Sequence, residues 1–181
     1  MKVLLNTLSK RERKAMLAKI SQLYPGFNTY NLDSIEKAIV KDDSLNDIEL
    51  IVLNKIPCFF KAYINSSEVY VPTLLCLQSL GASWVKGRLY VDRGAAIALS
   101  RGAHLMVPGI KGVEGDFEKG DIVACLYLET RAPVMVGIAE LDNGELRMAL
   151  TSKGKGRAVR RLHYIGDHIW KAASLVKSRL A

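Results

Sequence analysis

The sequence predicts an α+β protein in two domains. Three observations lead there: a helix-capping signal followed by branched and aromatic runs in the first half, a break bearing two glycines at 81–87, and short apolar runs with regular turn signals beyond it. The expected domains are 1–86 and 87–181, the second a small, partly closed barrel carrying a short helix and ending in a terminal helix.

Each element has its own warrant. Ser9 with Glu12 fits a capping box, in which hydroxyl and carboxylate satisfy free amides at a helix start, so a helix is expected to about Leu23, before Pro25 and Gly26. Met16, Leu17, Ile20, Leu23 and Tyr24 form its apolar stripe. Lys10, Arg11 and Lys14 fall opposite, a basic face that is either an RNA contact or simply solvated. Asp33 and Glu36 suggest a second helix through Val40 by the same capping logic. Ile48–Leu53 and Pro57–Ile64 read as strands around a turn at Asn54 and Lys55, and Val69–Val71 as extended. Pro72 suits the opening of a helix through Ser79, ended by Gly81.

Beyond the break, Leu89–Val91 is a strand, Arg93–Arg101 an alanine-rich helix stopped by Gly102, and Leu105–Val107 a strand leading into a type II turn at Pro108 and Gly109. Ile122–Leu128 and Val134–Leu141 are unbroken apolar runs of strand length. Asp142, Asn143 and Gly144 suggest a hairpin turn, and Leu146, Met148 and Leu150 an alternating strand after it. Leu162–Ile165 is expected as the last strand and Ile169–Leu180 as the terminal helix.

Composition bounds the function. The 181 residues are 49% hydrophobic and carry 26 Lys and Arg against 18 Asp and Glu, a formal net charge of +8. Apolar content of this size excludes a disordered chain. No apolar run approaches the roughly 18 residues that span a bilayer, so no membrane partner is expected. Met1–Asn6 is too weak for a signal peptide, so a cytosolic location is expected. Cys58, Cys76 and Cys125 are scattered among apolar neighbours, as reduced core thiols rather than a disulfide or zinc framework. The positive charge is concentrated late: from residue 153 onward, Lys153, Lys155, Arg157, Arg160, Arg161, Lys171, Lys177 and Arg179 face Asp167 alone. Such a field draws polyanions, and nucleic acid is the commonest in a cytosol.

Catalytic templates fail. There is no phosphate loop, no nucleophile elbow and no C-x-x-C pair, and Gly154-Lys155-Gly156 lacks the third glycine of a dinucleotide fingerprint. His163, Asp167 and His168 do not share one helix face and lack a fourth ligand, so neither a metal nor any other cofactor is expected. His104 fits either a surface contact or a packed ring. What remains is a pair of backbone-rich loops with basic flanks. Arg101-Gly102-Ala103-His104 and Pro108-Gly109-Ile110-Lys111 let a phosphodiester approach the main chain, with Met106 between them, and Lys153, Lys155 and Arg157 alternate with glycines in the second loop region. The RNA-binding candidates are therefore Arg101, Gly102, Ala103, His104, Met106, Pro108, Gly109, Lys111, Lys153, Lys155 and Arg157, with no catalytic residue among them.

The order of residues adds a resemblance. The run Tyr90-Val91-Asp92-Arg93-Gly94-Ala95-Ala96 through Arg101-Gly102-Ala103-His104-Leu105-Met106-Val107-Pro108-Gly109-Ile110 resembles the opening of a PUA domain, the RNA-binding module of pseudouridine synthases and archaeosine transglycosylases. Asp116-Phe117, Gly120-Asp121, Val136-Gly137, Lys155-Gly156 and His163-Tyr164-Ile165-Gly166-Asp167 with Trp170 follow in the same order. Phe59-Phe60 and Val71-Pro72-Thr73-Leu74-Leu75 resemble the pre-PUA domain of the malignant T-cell-amplified-sequence translation factors and their archaeal relatives. The resemblance implies a pre-PUA-like α/β domain followed by a PUA-type β pseudobarrel. It implies RNA binding through 101–111 and 153–157, and a role in initiation, reinitiation or recycling through tRNA or the small ribosomal subunit, with a protein partner. The alternative is an RNA-binding accessory subunit of a tRNA- or rRNA-modifying enzyme such as a pseudouridine synthase or archaeosine transglycosylase. A hydrolase using His163, Asp167 and His168 ranks last.

Overall fold

Pairing in the first half is set by two tight turns. Asn54 and Lys55 hold φ of 49° and 65°, and Asn65 and Ser66 hold 50° and 63°, the mirror-image turns whose twist matches the strands they join. In the computed structural model, which describes residues 1–44 and 46–181, these turns connect β3 (Ile48–Leu53), β4 (Ile56–Ile64) and β5 (Ser67–Pro72). With β1 (Lys2–Thr7) and β2 (Ile35–Lys41) they make an antiparallel five-stranded sheet in sequence order.

β2 corrects the helix expected at 33–40. The amides of Asp33 and Ser34 are bound by the Asn54 side chain (2.8 and 3.1 Å), so no cap forms there. Ile35, Ile39 and Val40 instead take the extended conformation their branching favours, paired to β1 on one side and β3 on the other.

Helix α1 (Lys10–Leu23) starts on the expected capping box, Ser9 N donating to Glu12 (2.9 Å) and Glu12 N to Ser9 (3.2 Å). Its stripe buries Met16 and Ile20 and ends at Tyr24, whose hydroxyl donates to the Tyr70 carbonyl at 2.7 Å. The Phe59 ring stands 5.5 Å from Tyr24 and 5.1 Å from Phe27, and Trp84 packs edge-on to both. Each such pair adds about 0.5–1.5 kcal/mol beyond the area it buries.

Helix α2 (Leu74–Leu80) is opened by Thr73 rather than Pro72, which ends β5 opposite Phe59. Thr73 is fully buried, donating to the Pro57 carbonyl (2.5 Å) and accepting from Cys76 N (3.1 Å), so one hydroxyl ties the helix start to β4. The three cysteines are buried, and burial pushes the Cys125 thiol up.

The second unit contains β6 (Gly87–Val91), α3 (Arg93–Ser100), β7 (Leu105–Met106), a single 3-10 turn at Val107–Gly109, β8 (Ile110–Gly115), β9 (Ile122–Tyr127), β10 (Pro133–Ala139), α4 (Asn143–Thr151) and β11 (Arg157–Tyr164). Its six strands run in the order β7-β11-β10-β9-β6-β8, with only β6 and β9 parallel. β7 and β8 lie at opposite ends of that order, yet only the 3-10 turn separates them in the chain. The sheet therefore curls until its edges meet, giving the expected pseudobarrel around Leu89, Leu105, Val123, Met135, Leu146 and Val159.

Two local expectations change here. Pro108 and Gly109 belong to the 3-10 turn, not a type II turn. Gly109 is needed for space, since a Cβ would stand 2.6 Å from that of Ala95. Residues 143–151 are a helix, not a hairpin strand. Asp142 accepts from Glu145 N (2.8 Å) and donates its own amide to the Glu145 carboxylate (2.9 Å), a complete capping box. Leu146 is buried with Ala149 and Leu150 packed beside it, the helical spacing, while Met148 points out.

Helix α5 (His168–Leu180) buries Ala172, Ala173 and Val176 and lies against β3, β4 and α2. The compact units are accordingly 1–84 with 168–181, and 85–167. This differs from the expected division, which kept the terminal helix with the second domain. Among the described residues no helix is long and apolar enough to cross a membrane.

Candidate nucleic-acid interface

The start of β11 brings the two expected loops together. Met106 pairs with Arg157 and Leu105 with Val159, and Val107 N donates to the Gly156 carbonyl at 2.9 Å. Helix α4 packs on the 3-10 turn from the other side. Between them lies a cleft of about 480 Å3 with Val107, Pro108, Ile110 and Leu150 as its apolar walls and Lys111, Lys153 and Lys155 among its lining. A second hollow of about 340 Å3 shares Pro108 and is lined by His104, Met106, Gly109 and the face of α3 that carries Gly94 and Ala98. Pro108 is thus the ridge between two adjoining depressions.

The cations differ in how free they are. Lys153, at φ 54° just beyond α4, and Lys155 are exposed, and among the described residues no ion pair reaches either. Gly154 between them is anchored, its amide donating to the Ala149 carbonyl at 2.6 Å. Arg101 is likewise exposed at the end of α3. Lys111 is partly occupied, donating to the Pro108 carbonyl (3.2 Å) with Asp92 at 3.7 Å. Arg157 is fully engaged: its guanidinium grips Glu140 in a two-pronged pair at 2.6 and 2.7 Å. Those hydrogen bonds hold the Glu140 carboxyl below its ordinary value. The pair's stabilisation is therefore present above the usual glutamate range and lost as pH falls through the lowered value.

The 101–104 loop is held rather than open. Gly102 is buried, and its carbonyl accepts from the Arg161 guanidinium, which also lies over the Tyr164 ring at 5.6 Å. Ala103 is half-buried. His104 Nδ1 accepts from the Arg161 amide at 3.1 Å. Burial first, and the charges of Arg157 and Arg161 second, lower the His104 pKa. The ring is thus neutral near pH 7, with its proton on Nε2 and available as a donor. Met106 is 47% exposed beside it.

The structure thus gathers Met106, Pro108, Gly109, Lys111, Lys153 and Lys155 along two adjoining hollows, with His104 lining one. It buries Gly102 and commits Arg157 to Glu140. Sequence reasoning missed the α4 wall, Ala149 and Leu150, and the clamp formed by Arg161 and Tyr164. The capping box at Asp142 and Glu145 was the signal for the first; nothing local marked the second. His163 is fully buried with Nδ1 2.9 Å from both Asp167 oxygens, and Asp167 also accepts from Tyr164 N (2.9 Å). That trio closes the turn after β11, and His168 is exposed instead. Among the described residues no three His, Cys, Asp or Glu side chains are placed to hold a metal.

A curled six-stranded sheet with a short helix before a glycine-bearing turn defines the class. Residues 87–163 match the family model of the PUA domain. An uncharacterised protein of Methanocaldococcus jannaschii is 32% identical over 166 residues, covering 90% of this chain and 93% of that one. Translation machinery-associated protein 20 of Schizosaccharomyces pombe is 28% identical over 169 residues, covering 88% and 86%. The crystal structure of a PUA-domain protein from Aeropyrum pernix, a tartrate complex, is 43% identical with a TM-score of 0.90, covering 97% of this chain and 94% of that one. The chain belongs to the PUA-domain proteins, by the family model and by its whole-length likeness to the A. pernix protein.

Proposed function

We propose that this is a non-catalytic RNA-binding protein of translation, which grips structured RNA, tRNA or small-subunit ribosomal RNA, in the cleft between 107–111 and 153–155. The observation that carries this reading is the convergence of Lys153 and Lys155, exposed and outside any ion pair of the described residues, on a backbone-rich apolar ridge of a PUA domain. The name of the S. pombe relative points to translation. Lysine ammonium groups meet phosphates as point charges and release counterions, while Pro108 and Met106 give sugars and base faces an apolar surface. His104 Nε2–H supplies a neutral donor beside them. With no Phe, Tyr or Trp among the described residues that line the two hollows, the grip reads shape and backbone rather than base sequence. A protein partner and the small ribosomal subunit complete the assembly in which it acts.

Crosslinking the full chain to RNA in cell extract and sequencing what is attached tests the reading. The expected catch is tRNA together with small-subunit rRNA. Recovery instead of a modification substrate with a pseudouridine synthase or transglycosylase would assign the protein to RNA modification as an accessory subunit.

Arg157 offers a finer check. Glu140→Gln removes the carboxylate that occupies its guanidinium and is expected to raise RNA affinity severalfold, steepening the salt dependence by about one unit. An unchanged slope in a salt titration would place Arg157 outside the RNA path.

A further inference from the structure

The amino-terminal unit carries its own concentration of positive charge. Lys10, Arg11, Arg13 and Lys14 occupy four of the first five positions of α1, and all four are exposed. Among the described residues no ion pair reaches any of them, whereas Lys19, farther along the same helix, meets Glu68 at 3.1 Å. Glu12, the one acid in this turn, is committed to the cap, its carboxylate accepting from Ser9 N at 2.9 Å. Hydrogen bonding to Ser9 first, and the charge of Lys37 on β2 last, hold that carboxyl below its ordinary value. Lys37 and Glu12 line one hollow between α1 and the sheet, so a fifth cation stands beside the turn.

Elementary electrostatics opposes this placement. The amino end of a helix is its positive pole, where acidic side chains stabilise and cations do not. The last turn of α1, where cations would be favourable, holds none. Like charges three or four residues apart on a helix also repel, and Lys10 with Lys14, Arg11 with Lys14 and Lys10 with Arg13 are three such pairs. Charge set against the stability of its own helix is accounted for by what it meets outside the protein.

What else the surface offers says which partner it fits. No large apolar side chain of α1 is exposed, because its stripe is turned to the core through Met16 and Ile20. The helix has no apolar face to lay into a bilayer, and none of the apolar anchors on which protein interfaces depend. Flexible cations without an anchor fit a phosphodiester backbone, which presents regularly spaced charge and releases counterions on contact.

We propose that the start of α1 is a second RNA-binding surface, taking the phosphate backbone of structured RNA through Lys10, Arg11 and Lys14 without reading bases. It rests on the reading of the chain as an RNA-binding protein, but not on which residues of the second unit bind.

The test titrates the full chain with bulk tRNA over a range of salt concentrations, with poly-L-glutamate as a second polyanion. Lys10→Ala, Arg11→Ala and Lys14→Ala together are expected to weaken tRNA binding about tenfold at moderate salt and to lower the salt slope by about three units, one for each phosphate released. Lys14→Gln alone should lower it by about one. The triple variant should melt no lower than the parent, since the cations it loses oppose the helix pole, so affinity and stability separate. Lys153→Ala with Lys155→Ala, measured alongside, loses its own share of the slope, so failure of the cleft and failure of the α1 surface are read from different variants. A triple variant that keeps the parent's tRNA affinity and slope would overturn the proposal. If that variant has lost binding to poly-L-glutamate instead, the surface is a dock for an acidic protein.

Discussion

Replacing Lys153 and Lys155 together with alanine is expected to weaken binding to tRNA about tenfold at moderate salt and to lower the salt slope by about two units, one for each phosphate no longer neutralised. Both side chains are exposed and outside any ion pair of the described residues, so their removal should not move the urea midpoint. Affinity and stability should thus separate cleanly. Gly154, held by the Ala149 carbonyl, keeps the lysines apart on either side of a fixed backbone, so the two single losses should be nearly additive. Arg157→Ala is a useful contrast: its charge is already neutralised by Glu140, so it should change the slope less than either lysine. Full affinity and an unaltered slope in the double variant would move the RNA to another face.

Gly115→Ala should cost about 3 kcal/mol and lower the melting temperature by roughly 12–24 °C, read by thermal unfolding followed with circular dichroism. Gly115 has φ of 90°, a conformation side chains resist, and a Cβ there would drive into the Lys86 carbonyl, part of the rigid backbone facing it. It pairs with Gly87, where a Cβ would stand 2.5 Å from the Phe117 ring and 2.7 Å from Val123. The β6/β8 ladder therefore closes on two residues without side chains. The Gly115 carbonyl also accepts from Asn143 Nδ2 at 2.5 Å, which ties the first turn of α4 to the end of β8. Moving this backbone disturbs the helix that walls the cleft, so RNA affinity should fall along with stability. A variant that melts within a few degrees of the parent would show that β8 relaxes around the new carbon.

Much of the fold is legible in the chain, and the failures have physical causes. The runs 122–127 and 133–139, and the 50–53 end of β3, declare themselves because central strands bury both faces and take apolar residues there. The capping box of α1 is equally plain, because Ser9 and Glu12 act within a few residues of each other. β2 misleads because Asp33 and Glu36 mimic a cap whose amides are in fact claimed by Asn54, a residue whose approach only the sheet determines. α4 misleads because Asp142-Asn143-Gly144 serves equally as a hairpin turn or a helix start. What decides it is the packing of Ala149 and Leu150 on the core, not anything in the three residues themselves.

The site divides in the same way. Glycine beside lysine marks a loop able to approach phosphate, so 108–111 and 153–155 stand out from residue type alone. Whether a given cation is free depends on strand register, which sequence does not supply. Arg157 meets Glu140 only because β10 and β11 pair antiparallel with a shift between Val136 and Gly137. The tie from Arg161 to Gly102 crosses from β11 to the loop after α3 in the same fashion.

The return of α5 to the first unit has a consequence for biosynthesis. Residues 85–167 form a segment interrupting the other unit, and they are complete once Asp167 has left the ribosome. The sheet begun by Lys2 must wait for Ala172, Ala173 and Val176 before its apolar surface is covered. The chain should therefore mature from the middle outward, with the later-encoded unit settling first and the earlier one last. A released chain truncated after Asp167 would show a protease-resistant 85–167 segment preceded by a cleavable amino-terminal flank.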